Sequence, residues 1–479
     1  MQLTIQILSP AEQEQVHAQS LRILSEVGIR FHGPLAPQVL QQHGLPWDAA
    51  SKTARLPAEV VAQALETTPK QFTLGARNPR YNLPLPAGQS YYGIDGTAAF
   101  TQDFRTGERR YGTALDNEEA LRIFQALELG LMAWAPVTAS DAPSHVRALR
   151  EFFTMARFCS KHGQHELHST DQVPYLVEGL SLILGGEAAL RQSAAYSLIY
   201  CPVAPLTHDG EMLDAYLQLG DWNLPVMLMP MPVCGTTGPA SLYSNLALAN
   251  AEALSTIVIY QLAHPGRPLI YASATGVVDF RSGAYLAGVP EMGLMSGALT
   301  EMGKFYNLPT ASAGMTSDAK QPGAQAVIEK LLTTLPAAMA GSDFIIGLGE
   351  LESDQLLVYE QLVVDHEIAK LCRRLASGVD SAPDKELFED IQQVGPGGHF
   401  LKSRHTRRLA HTDEFYYSKL VDHSPYETWL ELGRPDLYTR ARAEVERLLA
   451  EPLSDPLPGE VVDGLERILA RAERELQPE

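Results

Sequence analysis

From about Ala133 onward, short apolar segments ending in Gly, Ser, Thr or Pro alternate with helix-length stretches, at AWAPVTA, GQHELHS, YSLIYCPV, PVMLMPMPV, PLIYASATG, LPTASAG, DFIIGLGEL and GGHFL. They stand roughly 30 to 45 residues apart, the size of one βα unit. Eight such units in series, with no change of pattern between them, predict a closed parallel (β/α)8 TIM barrel rather than an open sheet. The intervening helices are visible at Asn245 to Leu262, Ala324 to Met339 and Glu360 to Ala376, the first stopped by His264-Pro265-Gly266.

The barrel is expected over residues 131–410, with additions on both sides. Residues 1–130 read as helices and β-hairpins packed on it. Ser9 to Leu45 carries a helical stripe of Val16, Leu21, Ile23, Leu24 and Val27, with Gly28 as a stop, and Pro57 opens a second helix to Thr67. Between Phe72 and Tyr111 the chain turns to Gly, Pro and aromatics, which reads as hairpins. Tyr91, Tyr92, Phe100 and Phe104 there are either core residues of a small sheet or the wall of a cation pocket. Residues 411–479 read as a C-terminal helical extension, with helices at Arg440 to Leu449 and Val461 to Leu476, the whole forming one structural unit.

Composition excludes several classes. A net charge of −20 with no compensating Lys/Arg stripe argues against nucleic acid as a partner. The first residues lack a signal peptide's basic and apolar regions, and no unbroken apolar run of about 18 residues occurs, so a cytoplasmic location away from membranes is expected. Four scattered cysteines without a CxxC pair fit a reduced compartment. A Walker loop, a GxGxxG between strand and helix, and a GxSxG elbow are absent. His162, His165 and His168 form HxxHxxH, but residues three apart on a strand point to opposite faces and nothing at standard spacing completes a metal site, so no metal is expected.

In a parallel barrel, chemistry sits where strands hand over to the following loops. Those loops are Cys234 to Gly238, Gly276 to Gly288, Gly314 to Lys320, Gly349 to Glu352 and Gly397 to His399, with Leu308 to Ala326 as the candidate centre. Their carboxylates and few cations, set in a Met-rich apolar wall, suit a small polar ligand. Glu291 starts a helix, where a carboxylate either favours the helix N-terminus or faces a positive ligand. Asp318 and Lys320 form either a local turn and ion pair or, for Lys320, the lysine of a Schiff-base lyase.

Several segments together resemble one family. DFRTGERR (103–110), AEAL with IVIYQLAHPGRPLIY (252–271), DFRSGAYLAGVPE (279–291), YNLPTASAGMTSDAK with QAVIEK (306–330), LVVDHEIAKLCRRLASGV (362–379) and GPGGHFLKSRHT (395–406) are similar, in order along most of the chain, to the trimethylamine methyltransferase family. The closer similarity is to members without pyrrolysine, the glycine betaine-type corrinoid methyltransferases. The resemblance implies a (β/α)8 barrel that docks a separate corrinoid protein and presents a methylated amine to its cobalt. Trimethylamine-using members carry pyrrolysine in the loop matching GMTSDAK. Thr316 stands at the position aligned with it, which implies no pyrrolysine and favours a quaternary amine.

With that substrate class, aromatic faces and carboxylates are expected to hold the cation. Tyr92, Phe100 and Tyr359 are the candidate aromatics, Glu291 and Glu350 the candidate catalytic carboxylates, and His399 a further mouth residue. Backbone amides over Gly314, Met315 and Thr316, with Lys320, are expected to receive a betaine's carboxylate. Glycine betaine leads, with proline betaine, carnitine and butyrobetaine as relatives, and a non-catalytic betaine-binding protein as the other reading. A homo-oligomer is expected.

Overall fold

The structure is a computed structural model and describes residues 3–477. Eight strands build the centre: β1 Tyr91–Ile94, β2 Gly130–Ala133, β3 His162–His165, β4 Tyr196–Tyr200, β5 Val226–Leu228, β6 Leu269–Tyr271, β7 Ala311–Ala313 and β8 Phe344–Leu348. They pair in parallel in the order β6-β5-β4-β3-β2-β1-β8-β7. A parallel bridge from Tyr271 to Thr310, with Tyr271 N–H donating to Pro309 O at 2.9 Å, closes the ring between β6 and β7. Every residue of β2 to β8 is buried, because the barrel interior covers one face and helices the other. Unbroken apolar runs rather than alternation are the consequence.

The barrel is therefore present, but offset by one unit from the sequence expectation. Its first strand is Tyr91–Ile94, inside the region read as hairpins, and GGHFL is no strand: Phe400–Lys402 is a single 3-10 turn on an exposed segment. The physical reason lies in the loop after β1. It carries a hairpin, Phe100–Gln102 with Arg109–Tyr111, before its helix starts at Ala114, so the βα spacing is masked there. GGHFL imitates a strand only in composition. The expected barrel limits of 131 and 410 move accordingly, to a first strand at Tyr91 and a closing helix Tyr359–Ala376.

Ordinary capping chemistry sets the helix ends that matter for the site. Thr113 and Asp116 form a capping box on Ala114–Ala126, Ser241 caps Leu242–Ala263, and Pro290 occupies the first turn of Pro290–Phe305. Leu242–Ala263 is long and apolar enough to cross a membrane, but 89% of its apolar window is packed inside the fold. The stretch Ser9 to Leu45 splits at Gly28 (φ 87°) into helix Pro10–Arg22 with a π-turn, strand Ile29–Phe31 and helix Leu35–Gln42. Leu437–Ala450 packs on Tyr359–Ala376 and Ala114–Ala126, and Gly459–Glu475 on Val173–Leu184, so the C-terminal helices brace the outside of the barrel.

Candidate active site

Asp95 follows the last residue of β1, and Glu350 lies two residues beyond β8. A tight hairpin joins Glu350–Leu351 to Leu356–Leu357 and carries Asp354 at its turn. Oxygens of these three carboxylates lie within 4.8 Å of one another. Glu350 is 0% exposed, and neither of its oxygens makes a hydrogen bond of ordinary geometry, nor does Asp354 Oδ1, among the described residues. Burial, and then the charges of Asp95 and Asp354, push the Glu350 carboxyl well above the usual range, against weaker help from Lys330 and the Ala98 amide. Burial likewise pushes Asp95 up, to about 6, and raises Asp354 strongly with Asp95 beside it.

The surroundings add negative charge and aromatic surface. The Cys201 thiol, after β4, is raised by burial and then by Glu166 and Asp95. Tyr285 is raised by burial and by Asp354, Asp318 and Asp95, and its ring packs against Gly276 in the loop after β6. Trp134 packs against Gly96, next to Asp95, and its Nε1–H donates to His165 Nδ1 at 3.1 Å. Buried donors without partners stand on the same barrel: Gln164 Nε2 in β3 and Thr275 Oγ1 beyond β6.

The turn that carries Asp354 is strained. Glu352, Ser353 and Asp354 have φ of 57°, 55° and 64°, a left-handed run that costs non-glycine residues on the order of 1–2 kcal/mol each. It persists because it is tied to the loop after β7. Glu352 N–H donates to Ala319 O and Ser353 N–H to Ser317 O, both at 2.8 Å, and Ser353 Oγ donates to Asp318 Oδ1 at 2.7 Å. Asp318 also accepts from the amides of Ala287 and Gly288, at 2.8 and 3.1 Å. One aspartate thus joins the loops after β6, β7 and β8.

A buried lysine locks the layer beneath. Lys330 donates to Met315 O at 2.5 Å, Gly347 O at 3.0 Å and Asp365 at 2.8 Å, and Asp365 also accepts from Gly349 N–H at 2.8 Å and Gln361 Nε2 at 2.7 Å. Gly347 (φ 142°) permits the contact, since a Cβ there would lie 1.9 Å from Gly314 O. All donors of Lys330 are committed, so it holds the ends of β7 and β8 in place and reaches the carboxylate group only through its charge, with no hydrogen bond.

Of the residues singled out in the sequence, Glu350 is the one the structure places in this group. Glu291 stands half-buried in the first turn of Pro290–Phe305, outside the three carboxylates. Tyr92 points away from the barrel interior, its hydroxyl donating to Ala369 O at 3.3 Å. Phe100 has its faces taken by Tyr111, 4.9 Å between centroids, and by the Arg109 guanidinium at 3.4 Å. Tyr359 lies behind the barrel, bonded to Asp116 at 3.1 Å and Glu119 at 3.2 Å. Lys320 is exposed and bonds Asp318 O at 2.7 Å, and His399 is exposed on the C-terminal segment.

The loop amides are also committed. Gly314 N–H donates to Ile346 O, Met315 N–H to Thr334 Oγ1 and Thr316 N–H to Thr333 Oγ1, at 3.0, 3.0 and 3.2 Å, and Thr316 Oγ1 donates to Ala287 O at 2.7 Å. The stretch 314–316 is therefore scaffold and offers a ligand no free donor. Nor do the histidines converge: His162 bonds Ser197 and Gly75 O, His165 bonds Glu151, and His168 is exposed. Asp95 and Asp354 had no motif to announce them.

A closed parallel barrel with buried carboxylates gathered at the C-terminal ends of its strands has the layout of a TIM-barrel enzyme. The profile of the trimethylamine methyltransferase (MTTB) family matches residues 2–477, and the chain belongs to that family. It is 30% identical to the glycine betaine methyltransferase of Desulfitobacterium hafniense over 99% of this chain and 98% of that protein. It is 29% identical to trimethylamine methyltransferase MttB2 of Methanosarcina mazei, over 98% and 96%. Among solved structures, the hydroxylamine complex of MtmB matches with a TM-score of 0.51 at 10% identity, over 98% of this chain and 88% of that one, a likeness of fold. The protein is a methyltransferase of this family.

Proposed function

We propose that the chain moves a methyl group from a quaternary amine of the glycine betaine type to the Co(I) of a corrinoid carried by a separate protein. The observation that carries the reading is Glu350, fully buried with both oxygens unpartnered beside Asp95 and Asp354. A carboxylate in that position needs a cation to complete it. A quaternary ammonium suits it, because it brings charge without N–H donors and its methyl groups pack on the rings of Tyr285 and Trp134. Whole-length identity to a relative named for glycine betaine supports the amine class.

The chemistry follows from the leaving group. Loss of methyl from a quaternary ammonium releases a neutral tertiary amine, so an in-line attack needs no covalent adduct with the protein, and an ordinary Thr316 is sufficient. The carboxylates stabilise the full charge of bound substrate more than the partial charge of the transition state. Their work is capture and alignment, and the rate gain comes from holding N–CH3 along the line of attack. Thr275 Oγ1, buried without a partner in the loop after β6, is our candidate donor to a betaine's own carboxylate, in place of the committed amides of 314–316.

The acceptor must reach this mouth from outside. Val203, Met231 and Phe280, in the loops after β4, β5 and β6, are 52%, 40% and 77% exposed and are our candidates for apolar contacts with a docked partner. Purified protein mixed with a Co(I) corrinoid protein and a panel of betaines should convert the cobalt spectrum to that of the methylated form. No conversion with any quaternary amine overturns the reading, and calorimetric binding of a betaine without conversion would make this a betaine-binding protein instead. The lyase alternative loses its residue, since an exposed Lys320 bonded to a backbone carbonyl sits in no desolvated pocket.

A further inference from the structure

At the opposite end of the barrel, among the residues leading into β1, β7 and β8, lies a cavity of ≈ 480 Å³. Three cations line it from three different parts of the chain: Lys70 after helix Ala58–Thr67, Lys304 on Pro290–Phe305 and Arg373 on Tyr359–Ala376. Its only acidic wall residue among the described residues is Asp343, and that carboxylate is already taken. Oδ1 accepts from Ala87 N–H at 2.5 Å, and Oδ2 from the Thr310 amide and hydroxyl at 2.8 and 3.2 Å.

The cations hold on to backbone carbonyls instead. Lys70 Nζ donates to Leu65 O at 2.7 Å and Tyr306 O at 3.1 Å, Lys304 Nζ to Ala340 O at 2.6 Å, and Arg373 Nη2 to Ser90 O at 2.7 Å. Arg373 Nε is buried without a partner. Glu301, the other acid near Lys304, is occupied by the amides of Ile7 and Leu8, both at 2.8 Å, and Glu66 near Lys70 is exposed. Desolvation lowers half-buried Lys70 and the more exposed Lys304 alike from their ordinary values, against weaker opposing help from the acids nearby. Three cations thus face the cavity against one lining carboxylate, Asp343, and carbonyl bonds satisfy their hydrogens without neutralising their charge.

We propose that this cavity binds a small organic dianion, a phosphate ester or a dicarboxylate, bridging Lys70, Lys304 and Arg373. The volume is within the range of small-molecule sites and larger than a bare phosphate needs, so the anionic group would carry an organic body. Because its three cations come from the N-terminal region and two barrel helices, a bound dianion would staple those elements together. The site is separate from the methyl-transfer mouth and does not rest on that assignment.

The test is calorimetric titration of the full chain with inorganic pyrophosphate and, separately, with succinate, at low ionic strength. One saturating site is expected, with affinity lowered by about tenfold or more in the double variant Lys304→Met/Arg373→Met and unchanged in Glu350→Gln. Pyrophosphate alone binding assigns the phosphate-ester class, and succinate alone the dicarboxylate class. On the unmodified protein, either binding probe should slow acylation of Lys70 and Lys304 while leaving exposed Lys402 unprotected. No saturable binding of either probe, binding that the double variant retains, or failure to protect the two lysines overturns the proposal.

Discussion

At the mouth of the barrel both oxygens of Glu350 and one of Asp354 lack donors beside Asp95, whereas at the floor Lys70, Lys304 and Arg373 lack free acids. Between them lies Lys330, 0% exposed and paired with an equally buried Asp365, with every hydrogen bond made. Charge gathers at all three places, but only the middle one is complete. A buried charge by itself therefore says little about function. What separates scaffold from site here is the unmet partner, and the sign of the unmet charge then names the class of ligand.

The sharpest way to break this contrast is to unmake the completed pair. Lys330→Met leaves Asp365 buried without its cation and frees Met315 O and Gly347 O, so unfolding free energy should drop by about 3–5 kcal/mol. Chemical denaturation reads it directly. If the loss is under about 1 kcal/mol, the range of an exposed pair, Lys330–Asp365 is not the lock described.

Next comes Glu350→Gln, which keeps shape and removes charge. Catalytic efficiency with a quaternary amine should fall by about a hundredfold to a thousandfold, as when one partner of a desolvated charge pair is lost. Since the carboxylates act mainly on bound substrate, the loss should fall on KM while kcat changes little. A fall in kcat at unchanged KM would instead make Glu350 a group acting in the transition state. The same variant should fold at least as stably as the parent, because the amide cannot take the ionised form that burial disfavours in Glu350.

The mouth was only partly readable from sequence, and the particular residues show why. Glu350 was legible because it follows a clear buried strand, DFIIGLGEL. Asp95 was not, since the hairpin Phe100–Tyr111 intervenes between its strand and the helix that would have marked a βα unit. Asp354 reaches the group through a left-handed turn over 352–354 that no glycine announces. Aromatics were misplaced for a common reason: Tyr92 and Tyr359 sit on elements of the right polarity, but residue spacing does not say which face of a strand or helix meets the barrel interior. The Leu308 to Ala326 loop is central, though as the brace that Asp318 and Thr316 make of it.

The pH dependence of the mouth gives a smaller effect with a definite sign. Asp95, pushed up to about 6, and Glu350 and Asp354, also raised, bind protons more tightly folded than unfolded. The contribution of Asp95 to stability therefore grows as pH falls from neutrality through about 6 and is lost as pH rises through it, and Glu350 and Asp354 act in the same sense. A cation reverses this, since it needs the ionised form. Affinity for a quaternary amine should rise by about tenfold between pH 5 and pH 7, and Glu350→Gln should flatten the rise. An affinity independent of pH in the parent would mean that the trio is already fully ionised without ligand.

The smallest effect belongs to Lys320, and its size separates the two views of the loop after β7. As a nucleophile or carboxylate receptor, Lys320 would be indispensable, and Lys320→Ala would abolish turnover. As an exposed side chain whose ammonium bonds Asp318 O, it contributes one surface interaction, and such substitutions change stability by no more than about 0.5 kcal/mol. Asp318 keeps its bonds to Ala287, Gly288 and Ser353 without it, so the brace between the three loops survives. Lys320→Ala should therefore leave KM and kcat within about twofold of the parent. Ser353→Ala removes a bond that fixes the Asp354 turn and should cost more than Lys320→Ala in the same assay. If that order is inverted, the free charge on the loop matters more than the strained turn, and the carboxylate group is not what the loop is built to hold.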